Sequence, residues 1–365
     1  MSGAKVNDNQ WMLGKVKKLP RESMGRILIR GTNWIGDAIM TLPAVASVRA
    51  SYPKSHIAML VKPAVADVYR LFSDLDEIII YENKFDNPTG VLKLARTLKD
   101  KRFDTAILLQ NAIEAAIIAL LAGIPTRAGF DSDARGLLLT HRVHRTNEIK
   151  KVHQIDYYLE MVKALGCVDA NRELHMETKI NILEARNIVR KFIPDEKKTL
   201  IGIAPGATYG PAKKWLPERF AAVAQRLSKD FSAQVILMGG KADGETAQEV
   251  QKSTGVELIN LCGKTAVWEA VYLISQCRLF ISNDSGLMHV AGALNVPTVA
   301  IFGSTNPTTT SPVGNKSVIV RREVPCSPCL KRTCPTDFRC MKLISVEDVL
   351  QVARKLLQNG RNNNP

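Results

Sequence analysis

Three short stretches carry residue types that could do chemistry. The first is the turn from Gly31 to Asp37 (GTNWIGD), which ends on an acid just where a helical pattern begins. A carboxylate there is either a first-turn helix acid or a general base at a ligand-binding edge. The second is residues 205–214 (PGATYGPAKK), in which Gly206 and Ala207 are small enough for close approach and Lys213 and Lys214 bring charge. Those are the needs of a leaving diphosphate. The third is residues 283–289 (NDSGLMH). Asp284 and Ser285 suit a helix N-cap, Gly286 lets a ligand approach the backbone, and His289 lies one turn further on. A strand entering a helix through such a turn leaves N–H groups and a helix dipole that favour phosphate. Each stretch also has an ordinary reading as a capped helix or a Gly/Pro loop with surface lysines.

Two further groups are weaker. Glu245 follows a glycine pair (GGKADGE) and could accept ribose hydroxyls or simply stabilise a helix start. Cys326, Cys329, Cys334 and Cys340 lie within one short, proline-flanked segment. Their spacing could hold structural zinc or an iron–sulfur cluster, with reduced structural thiols as the alternative. His153 reads as a helix-start or surface histidine.

The elements that must position these residues alternate. Strands are expected at 26–30, 56–61, 77–81, 104–109 and 127–130, with helices at 38–50, 64–72, 89–100, 112–122 and 153–165. Residues 131–151 read as a basic loop. After 171–181, where periodicity is lost, a helix at 182–192 leads into a second series. Its strands are 200–204, 234–238, 257–260, 279–282 and 298–302; its helices are 217–229, 243–253, 267–276, 285–294 and 345–357. This alternation implies right-handed βαβ units and two doubly wound parallel sheets. The expected division is a basic, flexible arm at 1–24, a Rossmann-like domain at 25–170, a linker at 171–181 and a second Rossmann-like domain at 182–365. The last helix, 345–357, is a candidate to pack back on the first domain. The first loop lacks the middle glycine of a dinucleotide fingerprint, which argues against a nicotinamide cofactor.

Fifty basic against 35 acidic side chains give a formal charge of +15. That favours an anionic partner: nucleic acid, a membrane surface or a phosphorylated substrate. Helix-turn-helix, RNP and aromatic–basic signatures are missing, so nucleic acid is the weakest of these. No run approaches the ~20 apolar residues of a membrane span, and the first 24 residues lack an apolar signal core. A cytoplasmic protein with reduced or metal-bound thiols is expected.

Taken together, the three stretches resemble glycosyltransferase family 9, the ADP-heptose:lipopolysaccharide heptosyltransferases, and within it the heptosyltransferase II branch. The resemblance rests on residues 29–37 running into Thr41, Leu42 and Pro43, on 205–207 with Lys213, Lys214 and Trp215, and on 283–289. It implies a GT-B architecture, two Rossmann-like domains facing each other across a cleft. It implies inverting transfer from ADP-heptose to inner-core heptose on a phosphorylated, lipid-A-linked glycolipid, at the cytoplasmic face of the inner membrane, with no cofactor required. By the same resemblance, Asp37 matches the general base and Lys213 the lysine on the donor phosphates. Asp284, Ser285, Gly286 and His289 match the donor turn, and Glu245 the ribose acid. Leu216 separates Trp215 from Pro217, which leaves the register of Lys213 against Lys214 open. Arg127, Arg135 and Arg142 are candidate contacts to the phosphorylated acceptor. The alternatives are a related sugar transferase with another donor or acceptor, and a non-catalytic nucleotide- or glycan-binding module.

Overall fold

The computed structural model describes residues 15–20, 24–71, 75–85, 87–172 and 181–359. The chain divides into two compact units, Met1–Arg172 and Glu173–Pro365.

In the first unit, short apolar runs bounded by turn residues become strands, and amphipathic stretches between them become crossover helices. In order these are β1 (Arg26–Arg30), α1 (Ile35–Ser51), β2 (His56–Val61), α2 (Pro63–Arg70), β3 (Glu77–Ile80), α3 (Pro88–Asp100), β4 (Thr105–Leu108), α4 (Ile113–Leu121), β5 (Thr126–Phe130), β6 (His141–Val143) and α5 (Gln154–Ala164). The strands form one sheet in the order β3-β2-β1-β4-β5-β6, and each pairs parallel with its neighbour. β1 and β4 are adjacent, with the crossovers leaving to opposite sides of them. That pair is the sheet's topological switch point, where ligands bind beyond the strand C-termini. Pro43 lies inside α1 rather than ending it. An interior proline costs about 3 kcal/mol, and the fully buried residues Ala38, Ile39, Leu42 and Val45 around it offset that through packing.

The second unit repeats the plan. It holds α6 (Ile182–Phe192), β7 (Leu200–Ala204), α7 (Pro217–Phe231), β8 (Gln234–Leu237), α8 (Gly244–Lys252), β9 (Ile259–Asn260), α9 (Val267–Ser275), β10 (Leu279–Asn283), α10 (Gly286–Ala293), β11 (Thr298–Ile301), α11 (Pro307–Thr310), β12 (Ser317–Val320), α12 (Arg339–Lys342) and α13 (Val346–Asn359). Its parallel sheet runs β12-β11-β10-β7-β8-β9. The switch point is therefore between β7 and β10.

The structure extends the sequence reading at several points. The segment 131–151 contains β6, and β12 was not foreseen; each is an edge strand. The described part of the arm is docked: Leu19 is buried and its N–H bonds the Leu165 carbonyl at 2.8 Å. Eight residues of the expected linker, 173–180, lie outside the described residues. The last helix covers the second sheet itself. Val349, Leu350, Ala353 and Leu357 of α13 enter one core with Ile201, Trp215, Ile281 and Ile301. Ser345 and Asp348 start that helix with reciprocal bonds, Ser345 N–H to Asp348 Oδ2 at 2.8 Å and Asp348 N–H to Ser345 Oγ at 3.1 Å.

Candidate functional site

At the second switch point, the loop after β7 and the turn after β10 are stitched together by Asn283. This fully buried side chain donates from Nδ2 to the Pro205 carbonyl at 2.7 Å and accepts the Trp215 N–H on Oδ1 at 2.9 Å. Trp215 is itself fully buried and donates from its indole to the Ile344 carbonyl at 3.1 Å. With Trp215 anchored and Pro217 at the first position of α7, the two lysines before it separate. Lys213 Nζ lies 2.6 Å from Asp284 Oδ2 and 4.8 Å from the Tyr209 ring centroid. Lys214 Nζ donates to Thr246 Oγ1 at 3.1 Å. The lysine that reaches the turn before α10 is thus Lys213, while Lys214 reaches the first turns of α8.

Asp284 is buried beside that lysine, and its N–H bonds the Ile301 carbonyl at 3.2 Å. Ser285 occupies the N-cap position of α10, yet its side chain makes no cap bond and pairs with Ser282 Oγ at 2.9 Å. The helix start is therefore not closed by a side chain, which leaves its N–H groups to an incoming anion. Gly286 is the first residue of that helix, and His289 sits buried one turn along it.

Gly206 also has a packing reason. A Cβ there would lie 2.0 Å from Asp243 Oδ1, so the place of its side chain is taken by Asp243. Asp243 is buried and accepts the Gly240 N–H at 3.0 Å. Ala207 is buried next to it. Glu245 stands exposed in the first turn of α8, one residue from the Lys214 partner Thr246.

At the first switch point, Asp37 is half-buried in the first turn of α1. Arg30, at the end of β1, fixes the turn that leads to it. The buried guanidinium donates to the Gly31 carbonyl at 2.5 Å and to Asn33 Oδ1 at 3.0 Å. Tyr158 on α5, a residue the sequence reading did not single out, is buried. Burial first, and then the negative charge of Asp37, push its hydroxyl well above its ordinary pKa of 10. Tyr158 is accordingly a neutral hydroxyl within the field of Asp37. His153 is the N-cap of α5 and accepts the Ile155 N–H on Nδ1 at 3.2 Å.

The three candidate acceptor arginines part company. Arg135 is fully buried. Its guanidinium donates to the Phe130 carbonyl at 2.7 Å, to the Gln110 carbonyl and to Asn111 Oδ1 at 3.3 Å. Burial lowers its pKa to about 10. It is an internal tie, not a surface contact. Arg127 is also committed to backbone, donating to the Leu138 carbonyl at 2.7 Å and the Ile124 carbonyl at 2.6 Å. Arg142, on β6, is exposed. No periodicity distinguishes the three; only the folded neighbours of each do.

The cysteine-rich segment takes a role that its spacing did not announce. Among the described residues, no three His, Cys, Asp or Glu side chains gather as a metal-ligand set. Cys340 turns into the hydrophobic core on α12, whereas Cys326 is exposed and Cys329 and Cys334 are half-buried on the preceding loop. Burial first, and then the charges of Cys326, Cys334 and Cys329, raise the Cys340 thiol's pKa, so the four cysteines share one neighbourhood. The residues between Cys329 and Cys334 also strap the loop that carries Lys213. Tyr209 Oη donates to the Leu330 carbonyl at 2.8 Å, Arg332 Nε to the Tyr209 carbonyl at 2.8 Å, and Ala212 N–H to the Arg332 carbonyl at 3.0 Å.

With this geometry in hand, known proteins can be compared. Residues 91–338 match the family model described as glycosyltransferase family 9 (heptosyltransferase). Lipopolysaccharide heptosyltransferase 2 of Escherichia coli K12 is 30% identical over 312 residues, covering 81% of this chain and 88% of that protein. Lipooligosaccharide heptosyltransferase 2 of Campylobacter jejuni serotype O:2 is 30% identical over 345 residues, covering 92% and 99%. The solved structure of E. coli ADP-heptose LPS heptosyltransferase II superposes with a TM-score of 0.79 at 27% identity, covering 92% of this chain and 99% of that one.

Proposed function

The chain belongs to glycosyltransferase family 9, and from that membership we propose that it transfers heptose from ADP-heptose to the inner-core heptose of a lipid-A-linked lipopolysaccharide core. Its similarity to heptosyltransferase 2 proteins over most of both chains supports this donor and acceptor class. The observation that carries the donor half is the Lys213–Asp284 pair, 2.6 Å apart, beside the start of α10 that no side chain caps.

The reaction has a direct physical form. An acceptor hydroxyl attacks the anomeric carbon while the bond to the diphosphate breaks on the opposite face, so the configuration inverts. Asp37 takes the hydroxyl proton. ADP departs with growing negative charge, and Lys213 with the N–H groups of α10 stabilises it. Each well-aimed donor of this kind is worth about 10²- to 10³-fold in rate. A positioned general base contributes roughly 10²- to 10⁴-fold. Asp284 keeps Lys213 at the turn before the donor arrives. Ser285, Gly286 and His289 line the same helix start; Gly206 and Ala207 form the facing loop; Lys214 and Glu245 lie toward the ribose. No cofactor takes part. The tie between residues 330–332 and the loop 209–212 holds Lys213 in register.

On the acceptor side the partner is a phosphorylated glycolipid, and Arg142 is the exposed candidate for its phosphates. The protein works as a peripheral protein at the cytoplasmic face of the inner membrane. No described helix is long and apolar enough to cross a bilayer.

The test pairs calorimetric titration of ADP with a transfer assay for Asp37→Ala and Lys213→Ala. Asp37→Ala is expected to bind ADP nearly as the parent does and to lose transfer. Lys213→Ala is expected to lose both. Normal turnover in Asp37→Ala would remove it as the base.

A further inference from the structure

Helix α4 has the sequence IEAAIIALL, in which Glu114 is the single polar residue. One face is accounted for: Ala115, Ala116, Ile118 and Ala119 pack into the core beneath the sheet. The opposite face is not. Ile113, Leu120 and Leu121 are exposed and Ile117 is half-exposed, at helical spacings of four, three and one that make one stripe. A surface helix ordinarily turns polar residues outward, and an all-round apolar helix is one that something covers. Neighbouring elements extend the stripe. Leu137, on the turn that packs against α4, is 92% exposed, and Leu92 is exposed on the adjacent α3. Apolar side chains exposed together on three adjoining elements are the mark of an interaction surface.

The charges at its border indicate the occupant. α3 presents Lys93, Arg96 and Lys99 to solvent, and Arg142 is exposed with its Cδ 3.8 Å from where a Cβ on Gly136 would sit, next to Leu137. The one acid on α4, Glu114, accepts a hydrogen bond from Tyr81. The acids on the turn before Leu137 are Asp131, which pairs with His144 at 2.9 Å, and exposed Asp133, so the named bases outnumber them. An apolar stripe with bases in excess at its border fits a bilayer with anionic head groups. The aliphatic side chains enter the acyl boundary and the cations meet phosphates. A second copy of this face is the competing occupant, and the oligomeric state decides against or for it.

We infer that α4, with Leu137 and Leu92, is the surface by which the first unit lies on an anionic membrane. This names the contact for the peripheral role proposed above and rests on that reading for its purpose. The binding itself needs neither donor nor acceptor. The experiment is co-sedimentation of the full chain with vesicles of phosphatidylethanolamine and phosphatidylglycerol, against vesicles of phosphatidylcholine alone. Binding to the anionic vesicles is expected, weakened by salt. It should fall by about tenfold or more in Leu137→Asp and in the double variant Leu120→Asp/Leu121→Asp. Circular dichroism melting checks that both fold, and Leu137→Asp, at so exposed a site, should melt with the parent. Failure of the parent to bind anionic vesicles, or parental binding by the folded variants, overturns the inference. So does a parent that is dimeric without vesicles and becomes monomeric with Leu137→Asp, since the face then joins two copies. Vesicle binding with the expected losses but no heptose transfer would leave this surface standing and remove the transferase reading instead.

Discussion

Lys213 and Lys214 are neighbours in sequence with separate work, because Trp215 and Asn283 fix the backbone between them. Lys213→Ala leaves Asp284, a carboxylate only 5% exposed, without its cation. Stranding a buried charge costs about 3–5 kcal/mol, so this variant should melt lower as well as transfer roughly 10²- to 10³-fold more slowly. Lys214→Ala breaks only a bond to Thr246 and should alter the apparent affinity for donor more than the turnover, which steady-state kinetics separates. The opposite ranking would assign the phosphates to Lys214. Residue types at fixed offsets made Asp37, Lys213 and Asp284 legible as candidates. The reason for Gly206 was not legible, because Asp243, which occupies its Cβ position, lies 37 residues away along the chain. Tyr158 was missed for the same reason: a tyrosine in an apolar helical stripe reads as core until Asp37 is brought near it.

At the scale of elements, ten of the twelve strands among the described residues announced themselves as apolar runs between turn residues. The two that did not, β6 and β12, complete the edges of their sheets. β6 is three residues long with an exposed arginine at its centre, and β12 is half-exposed, so neither carries a buried run. Missing β6 is what turned Arg135 into a surface candidate. Within the β5–β6 connection its guanidinium ties Phe130, Gln110 and Asn111 together. Arg135→Ala removes these bonds and leaves buried carbonyls unsatisfied, a loss of about 3 kcal/mol or more. A clear fall in melting temperature is expected, whereas a purely acceptor-binding arginine would leave melting unchanged. The strap from residues 330–332 to the loop at 209–212 was equally hidden, since it joins backbone groups far apart in sequence. Arg332→Ala should weaken ADP binding without touching the phosphate-turn residues, as titration would report.

For the whole molecule, the alternation of strands and helices dictated two parallel α/β units, and the switch point of each collected the residues whose types promised chemistry. The chain carries 50 basic side chains, and acids partnered by them set its acid stability. Burial works against the Glu77 carboxylate, but hydrogen bonds from Lys101 and His56 outweigh it and hold its pKa below the ordinary 4.5. A carboxylate depressed in the folded state contributes stability that is present above its unfolded pKa and lost as pH falls through its folded one. Urea midpoints measured downward from pH 7 should therefore drop below about pH 4.5, and Glu77→Gln should lessen that drop. A pH profile identical to the parent's would exclude the pair as a contributor. The central claim concerns chemistry and is tested most directly by mass spectrometry of a heptose-truncated core glycolipid incubated with the purified chain and ADP-heptose. Expected is a mass gain of one heptose, abolished by Asp37→Ala. An unchanged acceptor mass with ADP-heptose, together with transfer from a different nucleotide sugar, would contradict it.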